Sequence, residues 1–380
     1  AFMQSFGVKR MLITTKDPIH RYYLYSHGNI FNLAHIYFLY FIHQHKNNQV
    51  TMKFFYFLLV PYITLAGCSK AQHNTTDNGA WGEQPALPVV DGKSDFTISG
   101  DGYYVNVMGN SIPRMPVFPS LSVKAGIARG YVADLNGKPL KGAHIGVSSS
   151  LTGGFYSSGS GLSDDNGYYE FAIPAGAAYF FGTATTITYN ETAAVVALYP
   201  VGGASSFPSG NGAVKNFVLL SYGPANPDEV AQQPGNESNY YGGALSFNFN
   251  INYAGDYYQN PEYMPEDGVT EIELIPVGSG LYGETRSFKI TRQIGNSTGF
   301  SIHNIPVGKY TINAKMSDGR KLKMSATGTK ANVYEHLGLK PDNAVGTSTV
   351  TFTPNHQYTP VMVPSFKSNW DALEIELKLQ

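Results

Sequence analysis

The feature that most constrains this chain is a two-residue alternation of apolar and polar side chains. Leu245, Phe247, Phe249, Ile251 and Tyr253 alternate with Ser246, Asn248, Asn250 and Asn252. Leu373, Ile375, Leu377 and Leu379 alternate with Glu374, Glu376 and Lys378. Successive side chains of a strand point to opposite faces, so each run gives a strand with one apolar face. Runs of this length, separated by Gly, Asn and Pro, are the pattern of sandwiches and barrels. The composition agrees: 41 glycines, 27 tyrosines and 22 phenylalanines, but only 14% charged residues, against about 25% in an ordinary soluble domain. Such a chain lacks the Ala, Glu, Lys and Leu of a helical bundle or coiled coil and is rich in residues that suit a pleated surface. Only Lys330 to Leu339 reads as locally helical, with Gly338 and Pro341 to end it.

The single cysteine has a specific context. Met52-Lys53 leads into an apolar run from Phe54 to Thr64, then Leu65-Ala66-Gly67-Cys68. A short basic start, an apolar core shorter than the ~20 residues of a membrane span, and small residues before a cysteine form an export signal. The Leu-Ala-Gly-Cys ending resembles the lipobox of bacterial lipoproteins. The resemblance implies a diacylglycerol on the Cys68 thiol, cleavage before it, and acylation of the new amine. Residues 52–67 are then the signal peptide, and Cys68 is the lipidation site. By resemblance to enterobacterial lipoproteins, where an aspartate after the cysteine retains the protein in the inner membrane, Ser69 points to the outer membrane of a Gram-negative envelope.

Residues 1–51 carry five of the ten histidines and precede the natural start at Met52. They read as an over-extended upstream translation; the other reading is an apolar anchor over 29–43, which is short for a span. Past Cys68 the chain keeps 20 basic and 26 acidic residues, a net charge of −6. That balance disfavours nucleic acid as a partner. No other cysteine remains for a disulfide or a thiolate metal site. Residues 68–95 are polar and aperiodic and read as a flexible tether, with Trp81 placed to dock on the first domain.

From Arg129 to Leu220 several blocks follow in order. Gly130-Tyr131-Val132-Ala133 leads into Asp134-Leu135-Asn136-Gly137-Lys138-Pro139-Leu140, then Gly142-Ala143-His144-Ile145-Gly146-Val147. Later come Asp164-Asp165-Asn166-Gly167-Tyr168-Tyr169-Glu170-Phe171 and Asn216-Phe217-Val218-Leu219-Leu220. The set resembles the carboxypeptidase regulatory-like domain, which implies a transthyretin-like β-sandwich. In physical terms, Gly137 and Gly167 supply the positive φ of tight turns, and Val132, Ile145, Val147, Tyr169 and Phe171 fill the inner faces. Gly299 to Ile312 resembles the later half of the same module, without its opening turn block. The expected fold is all-β: two transthyretin-like or immunoglobulin-like sandwiches in tandem after the tether, at 96–225 and 244–380, with a linker over 226–243.

Motifs for chemistry fail on context. Gly278-Ser279-Gly280-Leu281-Tyr282-Gly283 fits the dinucleotide pattern but runs into a strand rather than a helix. His73, His144, His303, His336 and His356 lie in no zinc-peptidase spacing. Gly203-Ala204-Ser205-Ser206-Phe207 lacks the closing glycine of a nucleophile elbow. Asp164 and Asp165 sit in a turn block. The sequence therefore implies no catalytic residue, no metal site and no cofactor.

What remains are aromatic, amide-rich loops, Tyr240-Tyr241 and Asp256-Tyr257-Tyr258-Gln259-Asn260-Pro261-Glu262-Tyr263. Rings beside amides can stack on sugar faces or contact a protein. The candidate ligand residues are Tyr257, Tyr258, Asn260 and Tyr263. If the segment is extended, adjacent Tyr257 and Tyr258 face opposite ways and at most one is exposed. The expected function is a non-catalytic envelope lipoprotein, lipid-anchored, whose modules bind or scaffold a glycan or an envelope protein. The alternative is an envelope enzyme of unrecognised type, such as a carbohydrate-active hydrolase.

Overall fold

The computed structural model describes residues 81–82, 84–87, 93–151, 153–203, 205–363 and 367–380. Cys68, the signal segment and residues 1–51 lie outside the described residues. No helix among the described residues is long and apolar enough to cross a membrane.

The chain is all-β. In order the main strands are β1 (Asp95–Ile98), β2 (Tyr104–Asn106), β3 (Ile127–Ala133), β4 (His144–Leu151), β5 (Phe155–Leu162), β6 (Tyr168–Ala172), β7 (Ala177–Phe180), β8 (Ala184–Tyr189), β9 (Thr192–Pro200) and β10 (Phe217–Leu219). Then follow β11 (Gly243–Asn248), β12 (Val269–Pro276), β13 (Phe288–Gln293), β14 (Gly299–Ile305), β15 (Lys309–Met316), β16 (Leu322–Thr327), β17 (Gly338–Lys340), β18 (Thr347–Thr351) and β19 (Leu373–Leu379).

Strands β3 to β10 form one curled sheet in the order β7-β4-β8-β9-β10-β3, with β5 on β4 and β6 on β3. It wraps Val132, Ile145, Val147, Tyr169, Val196, Leu198 and Phe217, all buried. Two loops of one design connect its strands. Asp134 Oδ1 accepts from the amides of Asn136 and Lys138 (both 2.9 Å). Asp164 Oδ1 accepts from those of Asn166 (2.8 Å) and Tyr168 (2.9 Å). Gly137 and Gly167 sit at φ of 75° and 70°, a region that an L side chain rarely enters. Tyr169 and Phe171 both point inward, but Phe171 is only half-buried, at the rim of the core.

The second half forms two six-stranded sheets, β1-β13-β12-β15-β18-β17 and β2-β14-β11-β19-β16 with the short strand Ala344–Val345. Their inner faces meet through Leu245, Phe247, Phe300 and Ile375 on one side and Ile272, Leu274, Ile290 and Ile312 on the other. The alternating runs thus lie as their period requires.

Strand pairing corrects the expected boundaries. β1 runs parallel to β13, Asp95 opposite Lys289 to Ile98 opposite Arg292. β2 runs parallel to β14, Tyr104 opposite Ser301 to Asn106 opposite His303. Asp95, expected to end the tether, and residues 96–106, expected at the head of the first sandwich, therefore complete one edge of each sheet of the second. The first sandwich is inserted between β2 and β11. The fully buried Arg292 fastens this strap: its guanidinium donates to the carbonyls of Gly100 (3.4 Å), Gly102 (2.8 Å) and Ile294 (3.4 Å). Asn304, at φ 59°, donates to Asn106 Oδ1 (3.1 Å) and the Gly109 carbonyl (3.0 Å).

Three further expectations are corrected. The 226–243 linker is packed structure: Asn226 caps a short helix, α1 (Pro227–Gln232), by accepting from the Asp228 amide, and Asn239, Tyr240 and Tyr241 are buried. Pro227 takes the first helical position, where its missing N–H costs nothing, and the buried Tyr240-Tyr241 pair is core rather than a ligand-contacting loop. Residues 330–337 form bends and turns, and Gly338 opens β17. A helix this short gains too little from its own hydrogen bonds, while the segment is held by Lys330 on Asp371 (2.5 Å) and by inward Leu337 and Leu339. The described tether residues 81–82 and 84–87 are packed rather than flexible, with Trp81 docked on the first sandwich as expected. Trp81 lies 5.3 Å from the rings of Phe118 and Tyr131, and Gln84 exchanges hydrogen bonds with Val117 (3.0 and 3.2 Å).

Side chains lock the sandwiches together. Tyr189 donates to the Gly308 carbonyl (2.9 Å) and packs edge-on against Trp370 (4.9 Å). Asn369 accepts from the Ala197 amide (3.0 Å) and donates to the Val195 carbonyl. The Gly278–Gly283 loop, whose glycines fit a dinucleotide pattern, belongs to this contact. Tyr282 donates to the Leu219 carbonyl (2.5 Å), and Ser221 bonds Glu284.

Candidate functional site

The loop after β11 bends instead of extending. Asp256 Oδ2 accepts from the Tyr253 amide (3.1 Å), and Gln259 donates to the Tyr253 carbonyl (3.0 Å), which closes a tight ring of backbone. Asn252 then braces Asn260 on both sides: it accepts from the Asn260 amide (2.9 Å) and donates to its carbonyl (2.7 Å). Asn260 Oδ1 accepts from the Glu262 amide (2.9 Å). Glu266 accepts from the Ala254 amide (3.1 Å). These polar residues shape the loop before they can serve any ligand.

The bend puts both tyrosines in solvent, Tyr257 fully and Tyr258 at 78% exposure. This corrects the expectation that at most one would be exposed, because opposite facing holds only for an extended pair. Beneath the loop lies an open depression of about 740 Å³. Asn252, Gln259, Asn260, Tyr263, Glu266, Asp267, Asn296 and Arg320 supply its polar wall, and Ala254, Pro261, Pro265 and Leu379 its apolar part. The structure thus brings Asn260 and Tyr263 into one site, while Tyr257 and Tyr258 stand outside its lining.

Of the charged residues lining the depression, Arg320 is in an ion pair. Arg320 bonds Asp318 (2.7 and 2.9 Å). That bond holds the Asp318 carboxyl below the usual carboxylate range and the guanidinium above its own. Lys378 contacts Glu376 (3.2 Å) and Glu262 (3.7 Å), and Glu376, then Glu262, raises its pKa. The depression offers amide donors, carboxylate acceptors, a tyrosine and two prolines, groups that can hold a polyhydroxylated or peptide-like molecule. The sequence pattern pointed to Asn260 and Tyr263 but missed Asn296 and Arg320, which arrive from the turns after β13 and β15, and Leu379, from the end of β19; none carries a local signal.

Among the described residues the histidines do not converge. His144 Nδ1 lies 2.6 Å from the Gly182 carbonyl, and His336 Nε2 lies 3.0 Å from Thr192 Oγ1. His303 is buried, stacked on Tyr104 (5.5 Å), with no partner for Nδ1. Burial lowers its pKa to about 4, against a smaller upward pull from Glu237. Among the described residues no group of three or more His, Cys, Asp or Glu is placed to hold a metal ion.

No family model matches the chain, and no curated protein matches it. Among solved structures it is similar to the Bacillus anthracis TIE protein at 11% identity, over 67% of this chain and 34% of that one, with a TM-score of 0.24. It is also similar to a streptococcal ancillary pilin (9% identity, 63% of this chain and 62% of that one, TM-score 0.19). A third is the shaft pilin SpaA from Lactobacillus rhamnosus GG (11% identity, 67% and 97%, TM-score 0.18). The chain spans about a third of the length of the first and under two thirds of the second.

Proposed function

We propose that this chain is a non-catalytic lipoprotein of the cell envelope, held in the outer membrane by lipid on Cys68, whose sandwiches bind or scaffold an extracellular glycan or protein. The first sandwich is then a carboxypeptidase regulatory-like, transthyretin-like module. Its paired Asp-x-Asn-Gly loops support that reading, since one carboxylate closes each turn in the same way.

The observation that carries the binding role is the open, mixed polar and apolar depression lined in part by Gln259, Asn260, Pro261 and Tyr263 of the aromatic loop. A sugar or peptide could lie on Tyr263 and the prolines and reach the amides around them. Little apolar area is available, so one site should bind with a Kd of about 10⁻³ to 10⁻⁵ M, roughly −4 to −7 kcal/mol. Acyl chains contribute about 0.8 kcal/mol per buried CH₂, which anchors a protein without a spanning helix.

Two measurements test the proposal separately. Membrane fractionation should find Cys68→Ala folded but released, and the variant still in the membrane with normal signal cleavage rules out the lipid anchor. Binding of the full chain in detergent to an immobilised glycan panel should be weakened by Tyr263→Ala and Asn296→Ala. Turnover of any glycan in that panel would instead favour an enzyme.

A further inference from the structure

A second surface, on the first sandwich, has a chemistry distinct from the depression. In the β5-β4-β7 layer, residues in cross-strand register share a face. Ser150 is opposite Tyr156 and Ala177, Ser148 opposite Ser158 and Tyr179, Gly146 opposite Ser160, and His144 opposite Leu162. The other face carries Ile145, Val147 and Phe180, which are buried, so this one is the outer face. Phe181 joins it, its amide bonded to the Gly146 carbonyl (2.8 Å).

Four large side chains stand on this face in solvent: Tyr156 (73% exposed), Leu162, Tyr179 (39%) and Phe181. Exposed apolar side chains are common singly, but four of them set among serines on one sheet face mark a contact surface. The second sandwich adds to its border, because the Val361 backbone abuts Gly182 and the side chains of Val361 and Met362 are exposed.

Charge decides what fits there. The strands His144–Leu151, Phe155–Leu162 and Ala177–Phe180 contain no Asp, Glu, Lys or Arg. An ionic ligand would lose its hydration shell against this face without gaining a counter-charge. Rings set among hydroxyls match a neutral sugar chain, whose C–H faces stack on aromatic rings and whose hydroxyls exchange hydrogen bonds with serines. Tyr156 and Tyr179 lie two strands and two residues apart, about 12 Å by ordinary sheet spacings, so they would hold successive parts of one chain.

We propose that the outer face of the β5-β4-β7 layer is a binding platform for an uncharged polysaccharide, with Tyr156 and Tyr179 as its stacking residues.

The test is affinity electrophoresis of the full chain in detergent, through native gels containing β-glucan, xyloglucan or galactomannan, with polygalacturonate as the anionic control. At least one neutral polymer should retard the protein and polygalacturonate should not. Tyr156→Ala and Tyr179→Ala should each weaken retardation about tenfold, the effect of one lost aromatic anchor, with unchanged melting temperature. Tyr156→Phe should retain it, since the ring and not the hydroxyl does the stacking. Tyr257→Ala and Tyr263→Ala should leave it unaltered. Failure of every neutral polymer, retention by polygalacturonate alone, or loss only with Tyr263→Ala would overturn the proposal, and the last would leave the function proposed for the depression standing. Sedimentation showing that Tyr156→Ala dissociates a dimer that no polysaccharide retards would also overturn it, and would make a second copy the occupant.

Discussion

The two sandwiches handle their edges in opposite ways. The second is closed at one end of both sheets by β1 and β2, strands that arrive from before the first sandwich, and the buried Arg292 and Asn304 pin that strap. The first keeps β5 paired only to β4 and leaves an uncharged, ring-bearing face in solvent. Free strand edges and open apolar faces invite contacts, and proteins usually cover or charge them. Covering one and leaving the other open assigns stability to the strap and contact to the β5-β4-β7 face.

The largest expected effect breaks the covered side. Removing residues through Asn106 strips a strand from each sheet together with the buried Ile98. It should take most of the second sandwich's stability, more than about 5 kcal/mol. Chemical denaturation followed at Trp370, which belongs to the second half, would read it; an unchanged midpoint would make the strap decorative. On the first sandwich, Tyr169→Ala should cost about 3–5 kcal/mol and the half-buried Phe171→Ala about 1–2 kcal/mol. Equal losses in urea melts would mean that Phe171 is core after all.

Acid should separate the two halves further. His303 stays neutral in the fold down to about pH 4, while in the unfolded chain it takes up a proton near 6.5. Above that pH it costs nothing. As pH falls from about 6.5 to 4, the unfolded state binds more protons, and stability drops by up to about 3 kcal/mol. His303→Phe, which keeps a ring against Tyr104, should flatten that part of the stability–pH curve; an unchanged slope would place the titration elsewhere. Smaller effects follow at the turns, where Asp134→Ala and Asp164→Ala should each cost about 1 kcal/mol by freeing two amides. Smallest of all, Tyr257→Ala should shift stability by less than about 0.5 kcal/mol, as for any exposed side chain, and thermal melts would show it.

What could be read from the sequence follows the same division. Strand phase was legible wherever one face is buried: Leu245 and Phe247, Ile375 and Leu377, and Val132 with Tyr169 all lie inward as their alternation requires. The Asn-Gly turns were legible because their signal is local. The partner of β1 was not, because Asp95 and Lys289 meet across almost two hundred positions and no local pattern encodes that pairing. At the depression, Asn260 and Tyr263 announce themselves by composition, whereas Arg320, in the connection after β15, and Leu379, on β19, enter only through the packing of distant segments. The exposure of both Tyr257 and Tyr258 was misjudged for a related reason, since one carboxylate hydrogen bond from Asp256 turns an extended segment into a bend.

Hydrogen exchange of the full native chain tests most directly whether residues 95–106 are part of the second sandwich. The pairing of β1 with β13 and β2 with β14 predicts that peptides covering Asp95–Ile98 and Tyr104–Asn106 are protected as strongly as those covering β13 and β14, and lose protection together with them in denaturant. Exchange of 95–106 at the rate of unstructured chain, while β13 and β14 stay protected, would contradict the account and detach those residues from the second sandwich.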